Sequence, residues 1–134
     1  MKQNNNEKPL SFSIFRGKRD AAGKVQAVRR VGKCLFYQGT GSHVIHIDLL
    51  PGQTNTFYLR PSKQGANKEY DICLKETLVN GNLPFVYRRV GIAKLCSAPN
   101  EGLLYLEWDF VGPANIYMGT LTGDQDQNFE KVGA

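Results

Sequence analysis

Hydrophobic and polar residues alternate along most of this chain, which is the pattern of half-buried β-strands. Between residues 104 and 110, Leu104, Leu106, Trp108 and Phe110 alternate with polar side chains. A period of two places successive side chains on opposite faces of a strand. The same pattern, interrupted by clusters of Gly, Pro and Asn, predicts strands at 10–16, 25–37, 44–50, 56–60, 70–75, 85–97, 103–110 and 115–121.

Turn and bend signals complete this prediction. Gly112-Pro113 should end the seventh strand, and Asn80-Gly81 suits a tight hairpin because Asn and Gly tolerate a positive φ. Gly32 and Gly91 lie inside the two longest strands, where a glycine commonly marks a bulge or a corner. Only segment 69–79 is long enough for a helix, and its β-branched and aromatic residues favour strand. Short alternating strands separated by turns predict an all-β fold, an antiparallel sandwich or barrel.

The chain also contains one motif twice. Arg29-Arg30-Val31-Gly32 recurs as Arg88-Arg89-Val90-Gly91. The echo extends to Phe12–Ile14 with Tyr70–Ile72, Ile45–Asp48 with Leu104–Glu107, and Asn55–Phe57 with Asn115–Tyr117. Self-similarity of this kind predicts two copies of one four-strand unit, at 10–68 and 69–123.

The two units should share one core, because a half of about 55–60 residues would be only marginally stable alone. We therefore expect a single β domain at 10–123. Residues 1–9 are expected to be a disordered polar leader, and residues 124–134 a polar tail.

Composition narrows the class of protein. Its 41% hydrophobic and 22% charged residues are ordinary for a globular protein, and no apolar run approaches the ~18 residues of a membrane span. No signal peptide is visible at the N-terminus. Cys34, Cys73 and Cys96 are an odd number in apolar segments, which predicts buried free thiols in a reducing cytoplasm.

The net charge of +5 is unevenly distributed. Residues 1–33 contain nine Lys/Arg and two acids, a balance of +7, whereas residues 34–134 contain eight and ten, a balance of −2. A local concentration of positive charge says more about binding partners than the pI of the whole chain.

The paired arginines have two interpretations. Neighbouring residues on a strand face opposite sides, so the two members of a pair cannot act on one flat surface. One arginine of each pair could bridge to the acid of the downstream strand, Asp48 or Glu107. The other, together with lysines and arginines of the N-terminal quarter, could bind phosphates.

Aromatic residues are interleaved with these basic ones, and several are tyrosines whose polar tips permit exposure. Basic side chains around exposed rings can follow a phosphate backbone and stack on unpaired bases. Many of the rings could instead simply fill the core. The predicted nucleic-acid-binding residues are Lys18, Arg19, Lys24, Arg29, Lys33, Tyr37, Tyr87 and Arg88.

Catalytic and metal chemistry receive little support. His43 and His46 would face opposite sides of a strand and could not share a metal. Gly39–Ser42 lacks the lysine and helix of a phosphate loop. Glu107 and Asp109 share a strand face, but such a face is usually solvated. We expect no enzyme activity, no metal and no cofactor, with a hydrolase as the least favoured hypothesis.

One stretch resembles a known family. Tyr105–Phe110, followed by Gly112–Leu121, is similar to the closing strands of a family of small bacterial β-proteins encoded on plasmids and other mobile elements. In that family an aromatic-leucine strand also leads through a proline turn to an Ile-Tyr strand. The resemblance covers roughly residues 90–121 and implies a bacterial, mobile-element setting. That family's function is not established, so no site residues carry over.

Two functional hypotheses follow. A nucleic-acid-binding module, with single strands favoured, requires the basic residues of 16–33 to cluster on one exposed face. A protein–protein adaptor of a phage, plasmid or other mobile-element complex requires an exposed apolar patch or an unprotected edge strand, for which 56–60 and 115–121 are the candidates. Both hypotheses allow a homo-oligomer and neither requires a membrane.

Overall fold

The computed structural model describes residues 8–50, 53–62, 69–77 and 85–119. Every regular element in these ranges is a β-strand. The strands are β1 (Leu10–Arg19), β2 (Val25–Tyr37), β3 (Ser42–Leu50), β4 (Gln53–Pro61), β5 (Glu69–Thr77), β6 (Phe85–Leu95), β7 (Leu103–Trp108) and β8 (Gly112–Gly119). The predicted all-β class is confirmed. The leader up to residue 7 and the tail at 124–134 lie outside the described residues.

The strands form a closed barrel in which each one pairs antiparallel with its neighbour in the chain, and β8 pairs with β1. The two strands predicted to have unprotected edges are therefore paired on both sides. The strand β4 lies between β3 and β5, and β8 lies between β7 and β1. Closure removes edges because the last strand uses the hydrogen-bonding groups that the first would otherwise expose.

The interior is filled by alternate residues of all eight strands. Its members include Ile14, Cys34, Ile45, Phe57, Ile72, Ala93, Leu106 and Met118. Trp108 lies among them and meets the Phe57 ring edge-on, with 5.4 Å between ring centroids. Both halves of the chain contribute to one core, as expected for units too small to be stable separately.

Several strand ends differ from the prediction, and the turn between β7 and β8 shows why. The alternation from Leu104 predicts a strand that includes Phe110, but β7 ends at Trp108 and Phe110 is 63% exposed in the turn that follows. Gly112 does not stop a strand but begins β8, with a φ of 81° that completes this turn. An alternating pattern does not show where the backbone leaves the sheet, because a turn residue can continue the pattern by chance.

The two halves share an irregularity of register. Ile14 pairs with Gly32 and Phe15 with Arg30, so one residue of β2 bulges between them. In β5 and β6, Ile72 pairs with Gly91 and Cys73 with Arg89, which is the same shift.

Gly32 and Gly91 each pack closely against the backbone of the next strand, β3 and β7 respectively. A Cβ on Gly91 would lie 2.5 Å from the Glu107 carbonyl oxygen and 3.0 Å from the Trp108 Cα. A Cβ on Gly32 would meet the His46 carbonyl oxygen and lie 2.8 Å from the Ile47 Cα. Real Cβ atoms do not approach backbone atoms this closely, so glycine is required at both bulges.

The pairing of these glycines changes which residues of the two halves correspond to each other. Gly32 lies opposite Ile47, and Gly91 lies opposite Trp108. The residue that corresponds to Asp48 is thus Asp109, directly after β7 and two positions beyond the Glu107 that alignment of the two halves indicated. The two halves therefore correspond in strand register. That they arose by duplication of one sequence stays a prediction.

Candidate nucleic-acid interface

The candidate site lies on the hairpin formed by the end of β1 and the start of β2, residues 15–30, which we call the arm. Leu104 and Met118 face the barrel core, so their chain neighbours Leu103 and Tyr117 lie on the outer face. Phe15 and Val25 of the arm form a second buried cluster with these outer residues. The arm therefore folds over the outside of β7 and β8.

Contacts along the arm explain why it stays there. The Phe15 ring stacks on Tyr117 with 6.2 Å between centroids and 25° between ring planes. Gly17 lies against Val25 and the same tyrosine, and a Cβ there would come within 2.9 Å of Tyr117 Cδ1. The absence of a side chain at Gly17 lets the arm lie close to the barrel wall.

Asn100, in the loop between β6 and β7, holds the end of the arm. Its Oδ1 accepts a hydrogen bond of 2.8 Å from the Val25 backbone N–H, and its Nδ2 donates one of 3.0 Å to the Gly23 carbonyl oxygen. Asn100 is only 4% exposed. One side chain thus satisfies two backbone groups of the arm from the opposite end of the sequence.

Replacing Asn100 by alanine should destabilise the protein by about 2 kcal/mol, because the Val25 N–H would be left buried without an acceptor. Asn100→Asp keeps the acceptor but loses the donor to Gly23, so its cost should also be appreciable. Urea denaturation gives the free energy of unfolding, and hydrogen exchange at the Val25 amide reports opening of the arm. An unchanged exchange rate in Asn100→Ala would show that this contact does not hold the arm.

The opposite face of the arm carries positive charge. Arg16 lies between Phe15 and Gly17, which pack on the barrel, so its side chain takes the other face. Arg16 pairs directly with Arg29, and Lys18, two residues further on the same face, pairs with Gln26. All three basic side chains are exposed. We call Arg16, Lys18 and Arg29 the basic face.

This arrangement is unfavourable in the protein alone. Like charges directly opposite each other on paired strands are destabilising. Within the described ranges, none of the three basic-face side chains makes an ion pair. Residues 16–33 contain seven Lys/Arg and one acid, a balance of +6. The basic face is therefore a concentration of uncompensated charge.

The one acid of this segment, Asp20, is engaged within its own turn. Its carboxylate accepts hydrogen bonds from the backbone N–H groups of Lys24 and Ala22 and from the Gln26 side chain. The Lys24 backbone hydrogen bond and then the Gln26 contact keep the pKa of Asp20 below its ordinary value. Asp20 stabilises the turn and does not contact the basic face.

In the second half of the chain, the basic residues of β6 have acidic partners. Arg88 pairs with Glu76, Arg89 pairs with Asp71 at 3.3 Å and approaches Asp109 at 3.9 Å, and Lys94 approaches Glu69 at 3.9 Å. Four acids thus offset three basic residues around β6. The two halves share a register but differ in charge compensation.

The predicted bridge from an arginine to Glu107 is wrong in its partner. Glu107 instead accepts a hydrogen bond of 3.0 Å from the Tyr105 hydroxyl. The downstream acid that reaches Arg89 is Asp109, because β7 is set two residues further along than the sequence alignment gave. In the first half, Arg30 and Asp48 line one shallow depression over Gly32.

The predicted binding residues fall into separate groups. Four lie on the arm: Lys18 and Arg29 on the basic face, Arg19 donating a hydrogen bond to the Gly23 carbonyl oxygen, and Lys24 exposed in the turn. Lys33 and Tyr37 are exposed further along β2. Tyr87 and Arg88 are on β6, separated from β2 by three strands in either direction around the barrel. The structure does not bring these last two together with the arm.

Sequence reasoning missed Arg16. It continues the series Leu10, Phe12 and Ile14, whose side chains face inward, and an arginine on that face suggested no binding role. Arg16 is the last residue of β1 that pairs with β8, opposite Ile116, and at this end of the pairing the same face is exposed to solvent. A basic residue that continues a series of apolar ones was the signal that could have identified Arg16.

The cysteine and histidine side chains in the described part of the chain add no second candidate site. Cys34 and Cys73 are buried, and burial raises the pKa of the Cys34 thiol to about 12. His43 stacks on Phe36 at 4.4 Å between centroids, and burial lowers its pKa. In the described ranges, no three His, Cys, Asp or Glu side chains are grouped as a metal site requires. No described element is a helix of the length and apolarity needed to cross a membrane.

Comparisons with protein-family models, with curated proteins and with solved structures found no match to this chain.

Proposed function

We propose that this protein is a non-enzymatic nucleic-acid-binding barrel whose basic face contacts the phosphate backbone. The observation that carries the proposal is the direct pairing of Arg16 with Arg29, beside Lys18, with no ion-pair partner in the described ranges. Their mutual repulsion disfavours the folded protein and would be relieved by bound phosphates.

The second half supports this interpretation by contrast. On β6, at the same register, Arg88 and Arg89 have acidic partners. Ion pairs of this kind occupy the charges within the protein and leave less for a ligand. We therefore assign phosphate contact to the arm and not to Arg88. A cytoplasmic, bacterial mobile-element setting belongs to the same proposal.

The salt dependence of binding tests the proposal. Fluorescence anisotropy with a labelled single-stranded oligonucleotide should give a log–log slope of about −2, because three neutralised phosphates contribute about −0.7 each. On a duplex the slope should be about −2.7, at about −0.9 per phosphate. Affinity that does not change between low and raised salt would exclude phosphate contact as its source.

An adaptor function is the second candidate. Phe110 and Val111, at the turn between β7 and β8, are 63% and 50% exposed. Adjacent large apolar side chains at a turn can insert into a pocket of a protein partner. This function requires contacts at the turn, whereas nucleic-acid binding requires the arm, so substitutions at the two places separate the functions.

A further inference from the structure

Aromatic rings and basic side chains form a cluster on the outer face of β4, β5 and β6, which we call the aromatic patch. Its rings are Tyr58, Phe85 and Tyr87, each half-buried. Tyr87 meets Tyr58 edge-on at 5.6 Å and Phe85 edge-on at 5.4 Å between centroids. The three rings thus form one continuous surface that extends from β4 across β5 to β6.

Two basic groups lie over these rings. The Arg60 guanidinium is 4.1 Å from the centroid of Tyr87, and the Lys75 ammonium is 4.2 Å from that of Phe85 and 5.6 Å from that of Tyr58. Attraction between a positive charge and the face of a ring holds each basic group in place.

Neither basic group is neutralised by an acid in the described part of the chain. Asp71 lies opposite Arg60 across the strand pair, but its carboxylate is the partner of Arg89 at 3.3 Å. No ion pair joins Arg60 or Lys75 to a described acid. Positive charge is therefore available for an anion beside the rings.

An open depression of about 430 Å³ adjoins the patch, beside the parts of β4 and β5 that are not paired with each other. Pairing between these strands extends only over Tyr58–Pro61 and Tyr70–Cys73. The depression is lined by Tyr58, Phe85, Lys75 and the hydroxyl-bearing Thr56 and Thr77. It combines apolar ring surface, hydroxyl groups and a positive charge.

We infer that the aromatic patch binds one unpaired nucleotide, with its phosphate on Arg60 and Lys75 and its base against Tyr58, whose ring Tyr87 supports edge-on. A flat aromatic base joined to an anion is the ligand whose two parts match the two parts of the patch. The inference rests on the proposed function and adds a preference for single strands. In a duplex the bases are already stacked and paired, so only an unpaired base can reach the rings.

The patch is distinct from the basic face. The arm belongs to β1 and β2, whereas the patch belongs to β4, β5 and β6 around the barrel. The arm should therefore contribute to binding of single strands and duplexes alike. The patch should contribute to single strands alone.

The test compares the double variant Tyr58→Leu/Tyr87→Leu with the wild-type protein. Leucine retains apolar packing but removes the stacking surface, so affinity for a single-stranded oligonucleotide should fall at least tenfold. Affinity for a duplex should be unchanged, and so should the salt slope. Phe110→Leu is the matched control, since Phe110 is an exposed ring in the turn after β7, outside both the patch and the arm. Equal losses on single strands and duplexes, or no loss, would overturn the inference.

A second measurement keeps the two proposals separable. Thymidine 5′-monophosphate, titrated into the wild-type protein, should shift the ring resonances of Tyr58 and Tyr87 in NMR spectra while those of Phe110 stay in place. Unchanged Tyr58 and Tyr87 resonances would overturn the inference even if the arm binds nucleic acid. Shifts at these two rings would support the patch even if salt-dependent binding by the arm were absent.

Discussion

Gly91→Ala is expected to destabilise the barrel by about 3 kcal/mol and to lower its Tm by about 10 °C. A Cβ at this position would lie 2.5 Å from the Glu107 carbonyl oxygen and 3.0 Å from the Trp108 Cα. Both are backbone atoms of the paired strand, so no rotation of a side chain can relieve the contact. The strand itself must move, and Trp108 would be displaced from the core with it.

Gly39→Ala is the control for this effect. Gly39 lies in the turn after β2, and an added Cβ would have no neighbouring atom within 4 Å. Its substitution should change the free energy of unfolding by less than about 1 kcal/mol. Gly32→Ala should behave like Gly91→Ala, because its Cβ would also meet the backbone of the paired strand. Thermal unfolding followed by circular dichroism measures all three, and a Gly91→Ala midpoint equal to that of Gly39→Ala would contradict the packing described for the bulge.

The sequence was informative about the strands because alternation reports directly on which side of a strand is buried. All eight predicted strands are present, and Gly32 lies next to a bulge in β2, as a glycine inside a long strand indicates. Closure was left open between sandwich and barrel, since the pairing of β1 with β8 is between residues about 100 positions apart and leaves no local pattern.

The site was less predictable because it depends on where the chain leaves the barrel. The alternation that places Ile14 inside also places Arg16 inside, but Arg16 is the last residue of β1 to pair with β8 and is exposed beside Arg29. The role of Asn100 was invisible for a similar reason. Its partner Val25 is 75 residues away along the chain. Contacts between distant segments have no signature in composition or spacing.

The charge partners also depended on register. Alignment of the two halves suggested Glu107 as the partner acid, whereas the structure places Asp71 and Asp109 beside Arg89. A two-residue difference preserves the face on which a side chain lies, so the alternating pattern could not detect it. The uneven distribution of charge was visible in the sequence, but the difference in charge compensation between the two halves became visible only once the ion pairs were known.

A larger effect on binding is expected from removing the basic face. The triple variant Arg16→Ala/Lys18→Ala/Arg29→Ala should bind single-stranded and double-stranded oligonucleotides about 10²-fold more weakly at low salt, because three phosphate contacts are lost. Its salt slope on duplexes should approach zero from about −2.7, because the basic face supplies the phosphate contacts there. Folding should be retained, since these side chains are exposed and the pairing of Arg16 with Arg29 is repulsive.

The matched control is Arg88→Ala/Arg89→Ala/Lys94→Ala, which removes the same amount of positive charge from β6. These residues have acidic partners, so their loss removes exposed ion pairs worth about 0–1 kcal/mol each. If binding depended on net charge alone, the two triple variants would lose affinity equally.

The most direct test of the proposed function is therefore an anisotropy titration of one labelled single-stranded oligonucleotide with the two triple variants in parallel, at low salt. The uncompensated basic face predicts that the arm variant loses about 10²-fold in affinity while the β6 variant stays within a few-fold of the wild-type protein. Equal affinities for the two variants would contradict the assignment of phosphate binding to the arm.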